Sequence, residues 1–390
     1  MTDLKTLRND FYNTFNIECE NIFFSPGRVN LIGEHTDYNG GNVFPCALSF
    51  GTYGLVSRRN DNKISLYSLN FKELGTIDFN LNDLVYKKAH DWANYPKGVI
   101  KTIIDHGYTV ESGFNILIYG DIPNGAGLSS SASIEVLMAI ILNYYFKLNI
   151  NKVDIAKICQ EAERNFIGVN CGIMDQFSIC MGLKDSAILL DCNTLNYRYS
   201  SINMDGYKLI IGNTNKKRGL ADSKYNERRE ECETALKELQ NVINISSLGD
   251  LTIDEFEKYK TSILNPIRRK RAKHAVYENQ RTLKAVEALE KGNLKEFGKL
   301  LNESHISLRD DYEVTGIELD TLVSLAWEQK DIVLGARMTG AGFGGCSIIL
   351  VKSNAIEEFI EFVTTEYTKK IGYKPSFYIG DISNGARKLI

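Results

Sequence analysis

The sequence predicts an α/β (α+β) protein of two domains. The chain has 390 residues, more than a single hydrophobic core usually organises, so two domains in close contact are expected. Short runs rich in β-branched and aromatic residues alternate with longer stretches of helical periodicity. A polar stretch at residues 193–199 interrupts this alternation. We therefore expect an N-terminal domain over residues 1–195 and a C-terminal domain over residues 196–390, with a ligand site between them.

In the N-terminal half, strands are predicted where β-branched or aromatic residues lie between turn formers. Helices are predicted where apolar residues recur at helical spacing, as Val153, Ile155 and Ile158 do. The expected strands are residues 54–57, 64–69, 114–119 and 187–190, and the expected helices are residues 92–106, 131–146 and 151–167.

The C-terminal half begins with a predicted strand and continues through charged helices. The expected strands are residues 208–212, 347–351 and 376–379, and the expected helices are residues 224–239, 271–289, 316–327 and 356–369. A basic cluster at residues 268–273 opens the second of these helices. Because short charge runs usually face water, we expect a solvated helix start and not a polyanion site.

Composition and charge exclude several classes of protein. Apolar residues make up 43% and charged residues 24% of the chain, which is ordinary for a folded globular protein and argues against disorder. A formal net charge of -3 gives no electrostatic footprint for nucleic acid. The longest apolar stretch, residues 136–142, is too short to cross a bilayer. We expect neither a nucleic-acid partner nor a membrane partner.

The eight cysteines are scattered and form no C-x-x-C pair. Cysteine and histidine show no zinc-site spacing, so the thiols are expected to be reduced and mostly buried. The first ten residues lack the basic, apolar, small-residue order of a signal peptide. These features predict a cytoplasmic protein.

The segment from Gly27 to Gly41 is the most informative part of the chain. It places Arg28, Glu34, His35 and Asp37 among apolar residues in a short stretch. Glu34, His35 and Asp37 could surround a small polyhydroxylated ligand, while Arg28 would supply a fixed positive charge for an anion. The alternative is a solvated polar turn between two strands. The interleaved apolar residues favour the binding site.

A second segment, D-I-P-N-G-A-G-L-S-S-S-A-S, lies between a predicted strand and a predicted helix. Gly125 and Gly127 permit close backbone approach, and three serines precede a helix N-terminus, where free N–H groups and the helix dipole favour phosphate. No G-K-[ST] follows, so this is not a Walker P-loop. A glycine-containing turn with serine caps remains the alternative.

Asp175 stands in the largely apolar stretch C-G-I-M-D-Q-F. Burying a carboxylate among apolar residues is costly unless a charge or ligand compensates it. The sequence thus indicates a functional acid at this position.

These motifs together resemble those of the galactokinases, members of the GHMP family of small-molecule kinases. The resemblance extends over essentially the whole chain and follows the family's order. The segments that carry it are G-R-V-N-L-I-G-E-H-T-D-Y-N-G-G, P-N-G-A-G-L-S-S-S-A, C-G-I-M-D-Q-F, A-D-S-K-Y-N-E-R-R, N-E-S-H-I-S-L-R-D-D-Y and R-M-T-G-A-G-F-G-G-C.

The resemblance implies a two-domain GHMP kinase fold, with a ribosomal-protein-like N-terminal domain and a ferredoxin-like C-terminal domain. It implies ATP-dependent phosphorylation of the anomeric hydroxyl of α-D-galactose, with Mg²⁺ as the metal, in a protein expected to be a monomer. It also implies site residues. These are Asp175 and Arg28 for catalysis; Glu34, His35, Thr36, Asp37, Gly172, Asp175 and Tyr225 for the sugar; Ser68, Trp92, Gly125, Ala126, Gly127, Leu128, Ser129, Ser130 and Ser131 for the nucleotide; and Ser131 and Glu163 for the metal.

Several assignments have competing interpretations. His35 could be a hydrogen-bonded structural histidine, and Trp92 could fill the core because an indole buries a large area. The glycine motif after Arg337 could serve domain packing as well as ligand contact. Arg164 and Asn170 depart from the family pattern, in which histidine and proline are common. Since neither replaces a proposed catalytic group, altered affinity or stability is expected before lost chemistry.

Two rival functions are compatible with the motifs. One is a kinase for N-acetylgalactosamine or another galactose-like sugar, which would differ in the space beside the 2-hydroxyl. The other is a non-catalytic galactose sensor. The intact serine loop and Asp175 favour catalysis, because degeneration of that loop is the expected mark of a sensor.

Overall fold

A computed structural model describes residues 3–123, 127–216 and 221–390, with the backbone alone at 221–223. Its strands are β1 (Asn21–Asn30), β2 (Asn42–Val43), β3 (Pro45–Arg58), β4 (Lys63–Ser68), β5 (Ile77–Asn80), β6 (Phe114–Gly120), β7 (Ser186–Asp191), β8 (Tyr197–Ser201), β9 (Tyr207–Asn213), β10 (Val333–Thr339), β11 (Cys346–Lys352), β12 (Ser376–Ile379) and β13 (Arg387–Lys388).

The helices are α1 (Leu4–Phe15), α2 (Asn94–Asp105), α3 (Ser130–Tyr145), α4 (Lys152–Ala162), α5 (Met174–Met181), α6 (Ala221–Leu239), α7 (Ile253–Tyr259), α8 (Pro266–Glu290), α9 (Leu294–Ser307), α10 (Ile317–Glu328) and α11 (Ile356–Ile371). Short π-helical turns, Glu163–Ile167 and Leu308–Tyr312, continue α4 and α9. Within the described ranges, no helix is long and apolar enough to cross a membrane.

A six-stranded sheet with the order β13-β1-β3-β6-β4-β5 organises the N-terminal domain. Neighbouring strands are antiparallel except β4 and β6, which are parallel. Helices α2, α3, α4 and α5 supply much of the apolar core on one face of this sheet. The register of β1 against β3 shifts between Pro26 and Arg28. Such a bulge redirects the strand at the residue that the sequence marks as a functional cation.

A four-stranded antiparallel sheet with the order β10-β11-β9-β12 organises the C-terminal domain. Its strands and crossover helices follow the β-α-β-β-α-β pattern of a ferredoxin-like fold. The long insertion between β9 and β10 carries helices α6 to α10. This arrangement agrees with the fold implied by the family resemblance.

The predicted domain boundary at residue 195 needs two corrections. Strand β8 pairs with β7, so the boundary cuts through a hairpin whose first strand belongs to the N-terminal half. Strand β13 returns from the end of the chain and pairs with β1. The domains also share one apolar cluster, in which Val29 and Phe44 pack with Phe297 and Ile348. Composition along the chain cannot reveal a terminal strand that crosses back.

Most predicted elements are present, with shifted ends. The helix predicted at 92–106 begins at Asn94, after a 3-10 turn, and the helix predicted at 151–167 changes to π-helical geometry at Glu163. The elements that the sequence patterns did not predict are α1, α5, α7, α9, β1, β2, β5, β10 and β13. In β1, Pro26 and Gly27 obscure the strand pattern, because both are unusual inside a strand.

The expectation of a solvated start to the helix containing the basic cluster is wrong for Arg271. Only 2% of Arg271 is exposed. Its Nε donates to Glu231 and its Nη2 to Glu313, each at 2.9 Å, and its Nη1 donates to the Asp311 carbonyl at 2.6 Å. The charge is buried because α8 packs against α6 and the π-helical turn after α9.

Replacing Arg271 with alanine should therefore destabilise the protein. The change removes a buried cation with three hydrogen bonds and leaves Glu231 paired with Arg228 alone, so we expect the free energy of unfolding to fall by about 2 kcal/mol. Lys270→Ala is the matched control, because the Lys270 side chain is 54% exposed, and it should change stability by less than about 0.5 kcal/mol. Urea denaturation measures both. Equal effects of the two variants would show that the buried pairs contribute little.

Candidate active site

A cleft of about 330 Å³ lies between the two domains and gathers the polar residues of the sequence motifs. This size is within the range of small-molecule sites. Its lining residues are Arg28, Glu34, His35, Asp37, Tyr95, Ile122, Pro123, Gly127, Leu128, Ser129, Ser130, Ser131, Glu163, Gly168, Val169, Cys171, Gly172, Met174, Asp175, Tyr225, Asn226, Gly340, Ala341 and Gly342.

Arg28 and Asp175 form a bidentate ion pair at the centre of the cleft. Arg28 Nε donates to Asp175 Oδ1 at 2.7 Å, and Nη2 donates to Oδ2 at 2.9 Å. Nη1 donates to the Gly127 carbonyl at 2.9 Å. Although burial opposes the charged form, the Asp175 carboxylate raises the pKa of Arg28 above its ordinary value. The guanidinium is thus a fixed cation beside the first turn of α5.

The serine loop joins this pair to the N-terminus of α3. Ser129 immediately precedes α3 in a left-handed conformation, with φ of 62°, and its Oγ donates a short hydrogen bond to Asp175 Oδ2. The first N–H groups of a helix have no intrahelical partner, and the helix dipole attracts an anion there. Ser130 and Ser131 line the cleft at this helix end.

Glu34 is buried where the two domains meet. Its Oε1 accepts from Gly340 N at 2.7 Å and from Thr339 Oγ1 at 3.0 Å, and Arg337 Nη2 lies 3.3 Å away. Gly340, the first glycine of the motif that follows Arg337, therefore contacts the Glu34 carboxylate through its backbone N–H. Because Gly340 also lines the cleft, the motif serves both the domain contact and the cavity wall.

His35 forms part of an aromatic wall with Tyr38, Tyr225 and Tyr312. Burial lowers the pKa of His35 to about 3, so its ring is neutral. Nε2 lies 3.2 Å from the Ala341 carbonyl and Nδ1 lies 2.8 Å from the Tyr38 hydroxyl. Since the carbonyl only accepts, Nε2 carries the proton and Nδ1 accepts from Tyr38. Both ring nitrogens have protein partners, which favours the structural interpretation of this histidine.

Asp37 and Gly172 lie in close contact. A Cβ atom at Gly172 would come within 1.8 Å of Asp37 Oδ2, so glycine is required for the carboxylate to keep its position. Burial raises the pKa of Asp37 to about 7, and the nearby charge of Asp175 adds to the rise. Asp37 can therefore change its protonation state near neutral pH.

Glu163 and Ser131 lie together at another part of the cleft. Glu163 is buried, and it accepts hydrogen bonds from Ser131 and from Gln176 Nε2, the latter at 2.6 Å. Gln176 also donates to the buried Glu135 at 3.0 Å. Burial and the charge of Asp175 raise the pKa of Glu163. Within the described ranges, no cluster of three or more His, Cys, Asp or Glu side chains is arranged to hold a metal by itself.

Three residues of the predicted site lie elsewhere. The Thr36 hydroxyl is buried within 2.8 Å of the carbonyls of Gly33 and Asn42, so a sugar contact by this side chain does not fit the geometry. Trp92 packs in the apolar core of the N-terminal domain, and Ser68 is buried; neither is among the lining residues. Gly125 and Ala126 lie outside the described residues.

Sequence reasoning also missed residues that build the site. Tyr38 and Tyr312 hold His35 in the aromatic wall, and Gln176 links two buried carboxylates. All three lie within the motifs quoted above. Their position as polar residues next to the predicted ligands is the signal that could have identified them. The departure at Asn170 also has a contact, since its carbonyl accepts from Arg229 Nη1 at 2.8 Å.

Comparison with known sequence families agrees with this architecture. Residues 94–183 match "GHMP kinases N terminal domain" and residues 285–369 match "GHMP kinases C terminal". The fold is thus that of a GHMP kinase, as predicted. Residues 9–58 match "Galactokinase galactose-binding signature".

Within that class, the chain belongs to the galactokinase family and is a kinase enzyme. It is 67% identical to the galactokinase of Clostridium beijerinckii over 100% of both chains. The structure of Lactococcus lactis galactokinase complexed with galactose is 48% identical in sequence, superposes with a TM-score of 0.97 and covers 100% of both chains. Mevalonate kinase of Methanococcus jannaschii, at 20% identity with a TM-score of 0.66 over 94% of this chain and 99% of its own, shares the fold.

The raised pKa of Asp37 predicts a pH-dependent contribution to stability. Between its ordinary pKa of 3.8 and its folded pKa of about 7, the folded protein keeps a proton that the unfolded chain has lost, so raising the pH through this range favours unfolding. The asparagine of Asp37→Asn does not titrate, so the variant lacks this pH-dependent contribution to stability. Its free energy of unfolding should therefore rise relative to wild type by about 2 kcal/mol between pH 5.5 and 8.

Urea denaturation at the two pH values measures the difference between wild type and variant, in which contributions of other groups cancel. Asp331→Asn, at an exposed position, should run parallel to wild type. A difference between Asp37→Asn and wild type that does not change with pH would contradict the raised pKa.

Proposed function

We propose that this enzyme transfers the γ-phosphoryl group of ATP to the anomeric hydroxyl of α-D-galactose, giving galactose 1-phosphate and ADP. The observation that carries the proposal is the ion pair of buried Arg28 with half-buried Asp175 beside the N-terminus of α3. One side of this pair faces hydrogen-bonding groups suited to a sugar, and the other faces a helix end suited to phosphate. The galactose complex of the Lactococcus lactis relative supports the choice of sugar.

The sugar side is assigned to Glu34, Asp37, Asp175, the Gly172 backbone and Tyr225, all of which line the cleft. Carboxylates suit a hydroxyl-dense ligand, since each oxygen can accept a bond and a wrong epimer leaves buried groups unpaired. His35 contributes an apolar ring face, because its nitrogens are already bonded to Tyr38 and Ala341.

The nucleotide side is assigned to the loop of residues 125–131 and the start of α3. Backbone N–H groups and the hydroxyls of Ser129, Ser130 and Ser131 would bind the phosphates. Ser68 and Trp92 stay predictions for the adenine side; the burial of Trp92 in the core favours a structural role.

The Ser131 and Glu163 oxygens fit Mg²⁺, which prefers oxygen ligands and keeps several waters. They lie within hydrogen-bonding contact at the helix end where phosphates would bind. The ion supplies charge neutralisation for the transferring phosphoryl group. A bound cation would also keep the Glu163 carboxylate ionised despite its raised pKa.

In the proposed mechanism Asp175 accepts a hydrogen bond from the anomeric hydroxyl and orients its oxygen toward the γ-phosphorus. Arg28 holds Asp175 with two hydrogen bonds and stabilises the negative charge of the transferring group. Release of the hydroxyl proton to Asp175 accompanies transfer, because the product is a phosphate ester.

The rival functions derived from the sequence are not favoured. The high sequence identity to galactokinases along the whole chain argues against a kinase for another sugar and against a sensor. Cytoplasmic location and a monomeric state stay proposals; the eight cysteines without disulfides are typical of a reducing compartment.

The proposed reaction is tested by ADP release with MgATP and galactose, N-acetylgalactosamine, glucose or no sugar. Turnover with galactose and formation of a 1-phosphate are expected. Faster turnover with N-acetylgalactosamine would instead identify the rival kinase. Galactose binding without turnover would identify a sensor.

Asp175→Asn should abolish most turnover while the sugar still binds. Asparagine keeps the size of the side chain but turns an N–H₂ group toward Arg28, so the hydroxyl loses its acceptor and its orientation. We expect kcat to fall by about 10²–10⁴-fold, with the Kd for galactose changed less than tenfold. Steady-state kinetics and calorimetry measure the two quantities, and the exposed Asp331→Asn serves as control. Near-normal kcat would remove Asp175 from the mechanism.

A further inference from the structure

The C-terminal domain holds the main chain of the proposed sugar-binding segment from one side. Gly33 N donates to Glu278 Oε1 at 3.2 Å, and His274 Nε2 lies 3.1 Å from the Glu34 carbonyl. Because that carbonyl only accepts, the His274 ring donates to it. Both side chains belong to α8 and are fully buried. Gly33 has φ of +92°, and a Cβ there would come within 2.6 Å of the Asn42 carbonyl, so this turn has one permitted shape.

The end of β10 holds the Glu34 side chain. Thr339 Oγ1 lies 3.0 Å from both Glu34 Oε1 and the Asn30 carbonyl. Gly340 N donates to the same Oε1 at 2.7 Å. Arg337, fully buried, donates through Nη1 to the carbonyls of Asn30 and Leu31 at 3.1 and 3.0 Å.

The Thr339 hydroxyl and Gly340 N both reach the same oxygen of the Glu34 carboxylate, and Arg337 Nη2 lies 3.3 Å from it. A carboxylate whose terminal torsion is free presents its oxygens over a broad range of angles. The two hydrogen bonds to Oε1, from Gly340 N and from a Thr339 hydroxyl whose single proton is shared with the Asn30 carbonyl, restrict this torsion and with it the direction of Oε2. A binding site needs such support from surrounding residues. Glu34 itself lines the cleft.

We propose that Thr339 is a positioning residue for sugar recognition, which acts from the C-terminal domain by holding Glu34 Oε1 so that Oε2 receives a sugar hydroxyl. The inference rests on the proposed function, since it requires that galactose occupies this side of the cleft. Thr339 does not touch the sugar in this arrangement. Its contribution belongs to sugar affinity and not to phosphoryl transfer.

Thr339→Val is the informative change. Valine has nearly the shape of threonine and lacks the hydroxyl, whereas removing Arg337 would leave buried Glu34 without its ion-pair partner and endanger folding. Thr339→Ser keeps the hydroxyl and serves as the conservative rescue. Thr102→Val is the matched control, because Thr102 is also buried and its hydroxyl donates within α2 to the Gly98 carbonyl at 2.9 Å.

The measurements are the Kd for galactose by calorimetry, the separate KM values for galactose and MgATP, kcat, and the urea midpoint. For Thr339→Val we expect the Kd and KM for galactose to rise about tenfold, the effect of one hydrogen bond to a charged group. Its kcat at saturating galactose and its KM for MgATP should stay within about twofold of wild type. Thr339→Ser and Thr102→Val should keep the wild-type Kd within about threefold.

Thr339→Val with wild-type galactose affinity would overturn the inference, whether or not its stability falls. A fall in kcat at unchanged galactose KM would also overturn it, because the residue would then serve transfer and not binding. An equal loss of affinity in Thr102→Val would show a general effect of lost hydroxyls and overturn it as well. Wild-type protein that does not bind galactose would overturn the proposed function, and this inference with it, and is recognised before any variant is compared.

Discussion

Several carboxylates share one cleft with few cations, and the arrangement of the site depends on how their charge is compensated. Asp175 meets Arg28 directly, while Asp37 and Glu163 have raised pKa values because of burial and the charge of Asp175. The Arg28 guanidinium therefore compensates the carboxylate whose charge raises the pKa values of its neighbours. Its position is in turn fixed by the bulge in β1 and by the Gly127 carbonyl. An ion pair of this kind, with Arg28 buried and Asp175 half-buried, is weak evidence for stability but strong evidence for a defined geometry, since an unpaired guanidinium here would be costly.

The same constraint explains why the two domains are inseparable. The segment between β1 and β2 carries Glu34 and belongs by sequence to the N-terminal domain, but Arg337 on β10 neutralises it. Strand β13 closes the arrangement by pairing with β1. If the two domains moved apart about a hinge, Glu34 and Arg337 would separate and both buried charges would be left unpaired. The shared apolar cluster and the buried polar contacts thus both hold the two domains together on the side of Glu34.

Much of this architecture could be predicted from the sequence, because strong periodicity and distinctive motifs are local signals. The strand at Ser376–Ile379 was predicted with its observed ends. Four residues that were predicted to belong to one site do line one cleft, namely Arg28, Glu34, Asp37 and Asp175. What could not be predicted depends on long-range packing. The burial of Arg271, the inward hydroxyl of Thr36 and the return of β13 to β1 are decided by partners distant in sequence, and no periodicity records them.

The geometry also bears on what Asp175 contributes to transfer. In a loose phosphoryl-transfer transition state the nucleophile needs little deprotonation early, so orientation is worth more than proton abstraction. Both oxygens of Asp175 are held by Arg28, and Ser129 adds a further donor to Oδ2. A carboxylate has about four lone-pair sites, so these three donors leave one, on Oδ1. In the proposed mechanism that site would place the oxygen nucleophile. Arg28 would then have two roles: it would fix the residue that orients the hydroxyl, and it would supply positive charge for the transferring phosphoryl group.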